Sequence, residues 1–317
     1  MSLRLAIPLV TSLVTFSLLG CGSDAGQGTT TLRPGVEDSS QSYKGTPSAA
    51  ESAFWEAVRN GDDTGREEAA NKMRADAQRD PATYGYSAFL AGANSFMHPT
   101  VLLRAQADGT TLPQGQPRTP DQLADAEQLL TQGMQNLTDP LYLGFDAAFL
   151  ATLQLGSGDV AAGQQSFALG MQKNPAASGF ISVIFKLQQQ DVPGALDAFY
   201  QLIEYCSGGP VDHGGAGAGA YVARANAATL VHRECYSGYH ATHGTEGILL
   251  LVGDVHALNG DAQAAGQYYA AAQAAKNFSS WPLAPLLQRR IDGTEPPSLG
   301  ATTGLTSCGS CHTNTLP

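Results

Sequence analysis

Two cysteines and a histidine lie together near the carboxyl end of the sequence, as Cys308-Gly309-Ser310-Cys311-His312. Two thiols separated by two residues and followed directly by an imidazole are suited to three kinds of chemistry. They can form two thioether bonds to a porphyrin whose iron the imidazole then binds, they can close a disulfide, or they can bind a metal ion. This motif is the strongest chemical signal in the sequence.

The motif resembles the C-x-x-C-H haem-attachment site of c-type cytochromes. The resemblance implies one covalently bound haem c, held by thioethers from Cys308 and Cys311, with His312 as an axial iron ligand. The alternatives are an ordinary or redox-active disulfide between Cys308 and Cys311, or a metal site. Thiol–disulfide enzymes place such cysteines at a helix start after a strand, and residues 293–305 show no such pattern. We therefore expect haem attachment.

The position of the motif limits how the second axial position of the iron is filled. Only residues 313–317 follow it, so the small cytochrome c fold with a downstream methionine ligand is not expected. The motif's nearness to the carboxyl end is similar to class II cytochromes, but Pro296 and Pro297 predict a loop there and not a bundle helix. A second ligand would then come from upstream. The candidates are His213, His232, His240 and His243, with His256 or a methionine next in line.

This histidine cluster has competing interpretations. His240, His243 and Glu246 recur at three-residue intervals, which puts them on one helical face where they could instead hold zinc. A histidine taken singly is more often a surface or core residue than a ligand. Arg289 and Arg290 could pair with haem propionates, although the helix dipole explains cations at a helix C-terminus equally well.

Two further cysteines, Cys206 and Cys235, flank an insertion that begins with a glycine-rich stretch over residues 207–220. An oxidising compartment favours a disulfide between them. Closing a loop of this size would stabilise the fold by roughly 3–4 kcal/mol in the chain-entropy model. The glycine-rich stretch lacks the Gly-Lys-Ser/Thr ending of a phosphate loop, so it does not predict a nucleotide site.

The amino-terminal residues have the order of a secretory signal: a cationic start at Arg4, an apolar stretch over residues 5–19 too short to span a bilayer, and then Gly20-Cys21. Leu18-Leu19-Gly20-Cys21 resembles the lipobox of bacterial lipoproteins, which implies acylation of Cys21 and cleavage before it. The alternative is an ordinary secretory signal with an incidental cysteine. Because no aspartate directly follows Cys21, we expect a lipid anchor in the outer membrane and the body in the periplasm.

Composition divides the chain into four parts. Residues 1–20 are the expected signal peptide, and residues 21–48, rich in Gly, Ser and Thr, the expected flexible tether. Residues 49–292 are expected to form a helical repeat-like domain, and residues 293–317 a C-terminal loop that carries the motif. The net charge of −11, with no basic stripe, makes nucleic acid a poor partner.

The body is predicted to be all-α, because apolar residues recur at helical spacing and prolines and glycines punctuate them at intervals suited to short helices. Three segments also share a layout, with a small residue four positions after an aspartate and an aromatic residue eight positions after it. They are Asp159 with Gly163 and Phe167, Asp191 with Ala195 and Phe199, and Asp261 with Ala265 and Tyr269. In the helix before the last segment, Gly253 stands where we expect a close approach of two helices.

This layout resembles the second helix of the tetratricopeptide repeat over residues 141–277, although the tryptophan and tyrosine typical of the first helix are absent. The resemblance implies a stack of helix pairs, as an α-solenoid or an irregular helical bundle, with a concave face that binds proteins.

The functional prediction is a membrane-tethered c-type haem protein that transfers electrons or senses redox state or a ligand, with redox or other envelope proteins as partners. The main alternative is a tetratricopeptide-like scaffold lipoprotein that binds envelope proteins, with Cys308 and Cys311 in a disulfide. An open iron position, suited to gas binding or to peroxidase-like chemistry, is a third possibility. No nucleophile, base and oxyanion constellation is visible, which speaks against an enzyme without excluding one.

Overall fold

The structure is a computed structural model and describes residues 48–60, 62–97, 119–227, 229–232, 235, 243–281 and 283–299. The predictions for Cys21, His240 and the motif from Cys308 to His312 lie outside the described residues. The same holds for the expected signal peptide and for the expected tether up to residue 47.

Within these ranges the fold is all-α without strands, so the predicted fold class is confirmed. The helices in chain order are α1 (Ala49–Asn60), α2 (Asp63–Arg79), α3 (Gly85–Met97), α4 (Pro120–Asn136), α5 (Pro140–Ser157), α6 (Val160–Lys173), α7 (Pro175–Gln188), α8 (Val192–Ser207), α9 (Gly215–Asn226), α10 (Gly244–Leu258), α11 (Ala262–Gln273) and α12 (Ala284–Ile291). A short 3₁₀ helix, Phe278–Ser280, precedes α12. None of the described helices is both long enough and apolar enough to cross a bilayer.

The helices pack as consecutive pairs: α1 with α2, α3 with α4, α5 with α6, α7 with α8, and α10 with α11. All of these except α3–α4 are joined by two or three residues, which makes them antiparallel hairpins. The second helix of each pair also packs on the first helix of the next, so the pairs form a stack. Helix α9 belongs to the insertion and packs on α11, and α12 also packs on α11.

The repeated aspartates fix where the second helix begins in three of these helix pairs. Asp159, Asp191 and Asp261 are the N-caps of α6, α8 and α11, and each side chain accepts a hydrogen bond from the backbone N–H three residues further on. The residue before each aspartate has a positive φ of 62–92°, which turns the chain sharply between the two helices. One of these residues is Gln190, in a backbone region that glycine usually occupies.

A further aspartate, Asp62, caps a helix in the same way but lacks the rest of the layout, because Arg66 and Ala70 stand where the other segments have a small residue and an aromatic residue. The Asp62 side chain caps α2 by accepting from the N–H of Gly65. Four residues after it stands Arg66 in place of a small residue, and that side chain is 1 % exposed. The Arg66 guanidinium donates a hydrogen bond to the side chain of Asn94, so this position joins α2 to α3 through a buried polar contact.

The close approach predicted at Gly253 is present. A Cβ atom on Gly253 of α10 would lie 2.3 Å from Cε1 of Tyr269 on α11, so the tyrosine ring rests directly on the glycine backbone. The Tyr269 hydroxyl then donates to Oδ1 of Asp254 over 2.8 Å. The missing side chain at Gly253 and the buried contact with Asp254 therefore fix how Tyr269 packs between α10 and α11.

Candidate functional site

Cys206 and Cys235 are joined by a disulfide whose Cα atoms lie 5.6 Å apart. Cys206 lies in the last turn of α8, and both cysteines are buried. The Val231 N–H donates to the carbonyl oxygen of Cys206 over 2.9 Å. Residues 229–232 are therefore held against the end of α8, and the pairing predicted from the sequence is present.

His232 lies beside this disulfide. Its ring stacks on Tyr205 with the centroids 4.1 Å apart and the ring planes 11° from parallel. Tyr205 directly precedes Cys206, so the stack covers the same end of α8 as the disulfide does. One face of the imidazole is thereby occupied by the phenol ring.

His213 lies in the glycine-rich segment between α8 and α9, where its side chain is 53 % exposed. Its ring stacks on Tyr200 with the centroids 3.7 Å apart. Its Nε2 atom lies 3.5 Å from Oε1 of Glu204, one turn further along α8. The segment that carries this predicted ligand is thus folded onto α8, with the imidazole at the protein surface.

His243 immediately precedes α10 and is 4 % exposed. Its Nδ1 atom has no hydrogen-bond partner among the residues described. Burial lowers the pKa of His243 to about 4, so the imidazole is neutral at neutral pH. A neutral imidazole is the form that binds a metal. A side chain this deeply buried offers no open face to a porphyrin, so iron ligation would require neighbouring chain to move aside.

Glu246 follows in the first turn of α10 and is fully buried. Its Oε1 atom accepts a hydrogen bond from the N–H of Asn277 over 3.0 Å, which ties the chain after α11 to the start of α10. In the described part of the chain, no three His, Cys, Asp or Glu side chains lie close enough together to hold a metal ion. The zinc alternative also needs His240, which lies outside that part.

Arg290 and Asp254 form a buried ion pair, with 3.1 Å between Nε and Oδ1 and both side chains at most 1 % exposed. Arg290 also donates to the carbonyl oxygen of Glu295. Arg289 pairs with the carboxylate of Glu295 over 2.6 Å. Arg290 is therefore neutralised and enclosed by protein, which contradicts its suggested role with haem propionates. The two arginines instead fold the chain after α12 back onto that helix.

The comparison of the chain with known proteins identifies no relative. No protein-family model, no curated protein and no solved structure matches it. The candidate sites therefore rest on their own chemistry and geometry.

The packing also brings together His256, which the sequence offered only as a reserve candidate for the second iron ligand, and two tyrosines that the sequence did not single out for chemistry. His256 of α10 lies between Tyr200 of α8 and Tyr268 of α11. These residues are separated by up to 68 positions in the sequence, and each has the spacing of an ordinary core position. Only the stacking of the α7–α8 pair on the α10–α11 pair makes them neighbours.

Proposed function

We propose that this protein is an exported, lipid-anchored haem protein that transfers electrons or senses redox state or a ligand. One haem c would be bound through Cys308 and Cys311, with His312 on the iron, and the lipid would be carried by Cys21. The observation that carries the proposal is the complete C-x-x-C-H motif in a chain that begins with the features of an export signal. A haem bound in this way supplies one-electron chemistry at its iron.

The donor set of the motif fits this group. Cys308 and Cys311 would hold the haem through two thioether bonds, and His312 would supply a nitrogen ligand to its iron. The net charge of −11 supports a redox partner with a basic surface, because complementary charge steers such encounters.

The tail that carries the motif starts from a fixed point of the fold. Glu295 is held by Arg290, which also contacts Asp254 in α10. Cys308 follows Glu295 by thirteen residues, so an extended chain would place it at most roughly 45 Å away. His243 precedes Asp254 by eleven residues, roughly 17 Å along the helix axis. These lengths allow the motif to reach the start of α10.

The test is a visible absorption spectrum of the full chain produced in a host with c-type haem maturation machinery. We expect covalent haem in the wild type and none in a Cys308→Ala, Cys311→Ala double variant. The matched control is the Cys206→Ala, Cys235→Ala double variant, which also removes two cysteines and should keep the haem. Absence of covalent haem from the wild type would refute the haem proposal.

The second axial ligand is proposed among His213, His240 and His243. Replacing the true ligand by alanine should convert a six-coordinate, low-spin spectrum into a high-spin one that responds to carbon monoxide, without loss of the thioether-bound haem. A low-spin spectrum in all three single variants would place the ligand at another histidine or at a methionine. A high-spin wild type that binds carbon monoxide would instead indicate an open iron position.

The lipid anchor has its own test, because it is independent of haem. Cys21→Ser should leave the protein unprocessed or release it from membranes in detergent partitioning. Continued membrane fractionation of the processed variant would contradict lipidation at this residue.

A scaffold role is the second candidate, and the stack of helix pairs favours it. Stacked pairs of this kind present an extended surface that is able to bind other proteins. In this case Cys308 and Cys311 would form a disulfide, and affinity capture from envelope extracts should recover the same partners with the wild type and with the Cys308→Ala, Cys311→Ala variant.

A further inference from the structure

A buried imidazole is hydrogen-bonded to a phenol that solvent reaches. The hydroxyl oxygen of Tyr200 lies 2.9 Å from Nε2 of His256. His256 is 4 % exposed, whereas the Tyr200 side chain is only partly buried. On the other side of the imidazole, Oδ2 of Asp261 lies 3.7 Å from Nδ1. A carboxylate, an imidazole and a phenol thus follow one another in a row.

The protonation states in this row follow from the surroundings. Burial lowers the pKa of His256, so the imidazole is neutral. Burial, with the carboxylates of Asp261 and Asp197 nearby, raises the pKa of Tyr200 to about 12, so the phenol keeps its proton. A lone pair on Nδ1 would face the Asp261 carboxylate unfavourably, so the proton of the neutral imidazole belongs on Nδ1. Nε2 then accepts the hydrogen bond that Tyr200 donates.

We propose that Tyr200 and His256 form a proton-coupled redox pair. When a one-electron oxidant removes an electron from the Tyr200 phenol, the O–H bond breaks and the proton passes to Nε2 of His256. The products are a neutral phenoxyl radical, an imidazolium and the oxidant reduced by one electron. On re-reduction, one electron returns to the phenoxyl oxygen and the same proton returns from His256. No proton has to enter or leave the protein.

The surroundings favour this proton transfer. The oxidised phenol is a far stronger acid than the phenol, and the acceptor nitrogen already lies within the 2.6–3.2 Å that direct proton transfer requires. The imidazolium would be stabilised by the Asp261 carboxylate next to Nδ1. The His213 ring, stacked 3.7 Å over Tyr200, covers one face of the radical.

Tyr269 of α11 is a second tyrosine with a buried hydrogen-bond acceptor, and it can be compared with Tyr200. Its hydroxyl also donates to a buried acceptor, Oδ1 of Asp254, over 2.8 Å. That carboxylate already forms an ion pair with Arg290. A carboxylate next to a guanidinium has a low proton affinity, so it is a poor acceptor for the proton of an oxidised phenol. The same reasoning therefore selects Tyr200 and rejects Tyr269.

The inference does not rest on the proposed haem function. The oxidant is defined only by its chemical class, a one-electron acceptor of sufficiently high potential, such as an oxygen-derived radical or a strongly oxidising metal centre. A protein that meets such oxidants would hold the oxidising equivalent at Tyr200 until a reductant removes it.

The test uses the full chain and photogenerated ruthenium(III) tris-bipyridine as the oxidant. The rise of the phenoxyl radical is followed by transient absorbance and its identity by electron paramagnetic resonance. We expect a fast phase in the wild type that disappears in Tyr200→Phe and persists in Tyr269→Phe. In His256→Gln, which keeps a hydrogen-bond acceptor but no base, this phase should be slower by about 100-fold, the lower end of what a positioned base contributes.

A second measurement needs no variant at a buried position. In the wild type, the rate of the fast phase should be insensitive to the concentration of buffer base and should slow in deuterated water. A fast phase that survives in Tyr200→Phe would overturn the assignment of the tyrosine. A wild-type rate that increases with buffer base, or a folded His256→Gln variant that reacts as fast as the wild type, would overturn the role of His256.

Discussion

Asp146 of α5 should make the protein less stable as the pH rises. The side chain is fully buried, and neither carboxylate oxygen has a hydrogen-bond partner within the described residues. The carboxyl group rests against the backbone of Gly133 in α4, where a Cβ atom would lie 2.2 Å from Oδ2. Burial raises the pKa of Asp146 well above its ordinary value of 3.8, so the folded protein holds it as the neutral acid.

The sign and size of the effect follow from proton linkage. Above its ordinary pKa, the Asp146 carboxyl is ionised in the unfolded chain and protonated in the folded one, so unfolding releases a proton. The free energy of unfolding should therefore fall with a slope of about 1.4 kcal/mol per pH unit from this group, until the pH reaches the folded-state pKa. The contribution is fully present at acidic pH and is lost as the pH rises.

The change that tests this is Asp146→Asn, which keeps the shape and removes the titration. Urea unfolding followed by circular dichroism at several pH values gives the free energy of unfolding of each protein. The difference between variant and wild type should grow in favour of the variant by about 1.4 kcal/mol per pH unit. Asp121→Asn, at an exposed position in the first turn of α4, is the matched control. Parallel pH profiles for wild type and Asp146→Asn would refute the reasoning.

Four further outcomes are expected from urea unfolding. Gly253→Ala should destabilise the protein by roughly 1–3 kcal/mol, because the new methyl group meets a tyrosine ring at 2.3 Å. Gly266→Ala, where no atom lies within 4 Å of the added Cβ, should instead stabilise α11 by about 0.5–1 kcal/mol. Equal changes in the free energy of unfolding for the two glycine variants would contradict this explanation from packing. Replacing Cys206 and Cys235 together by alanine should lower the free energy of unfolding by roughly 3–4 kcal/mol, and an unchanged value would show that the loop is restrained without the disulfide. Because the pKa of His243 is lowered to about 4, its contribution to stability should be lost as the pH falls from its ordinary pKa of 6.5 towards 4, and His243→Gln should flatten that decline.

Local chemistry explains why much of the helical stack was predictable. The caps at Asp159, Asp191 and Asp261 act on backbone N–H groups three residues away, so their effect is encoded within one turn. The small residue and the aromatic residue that follow each cap lie on the same helical face for the same reason. The cap at Asp62 acts in the same way, but the layout could not predict it, because Arg66 and Ala70 replace the small residue and the aromatic residue.

The candidate functional residues also divide into those that the local sequence predicts and those that it does not. The motif from Cys308 to His312 was readable from the sequence, because the spacing that suits a porphyrin is a property of five consecutive residues. The pairing of Cys206 with Cys235 was predictable, because these are the two cysteines that remain outside the motif and the lipobox.

The polar contacts inside the stack were decided only by tertiary structure. Tyr200 and His256 lie 56 residues apart, and neither local pattern predicts that the two side chains meet. The ion pair between Asp254 and Arg290 spans 36 residues, and the sequence predicted only a haem propionate or a helix C-terminus as the partner of Arg290. Which polar atoms a buried side chain meets depends on how helix pairs are stacked, because that stacking sets both the neighbours and the desolvation that a charge must bear.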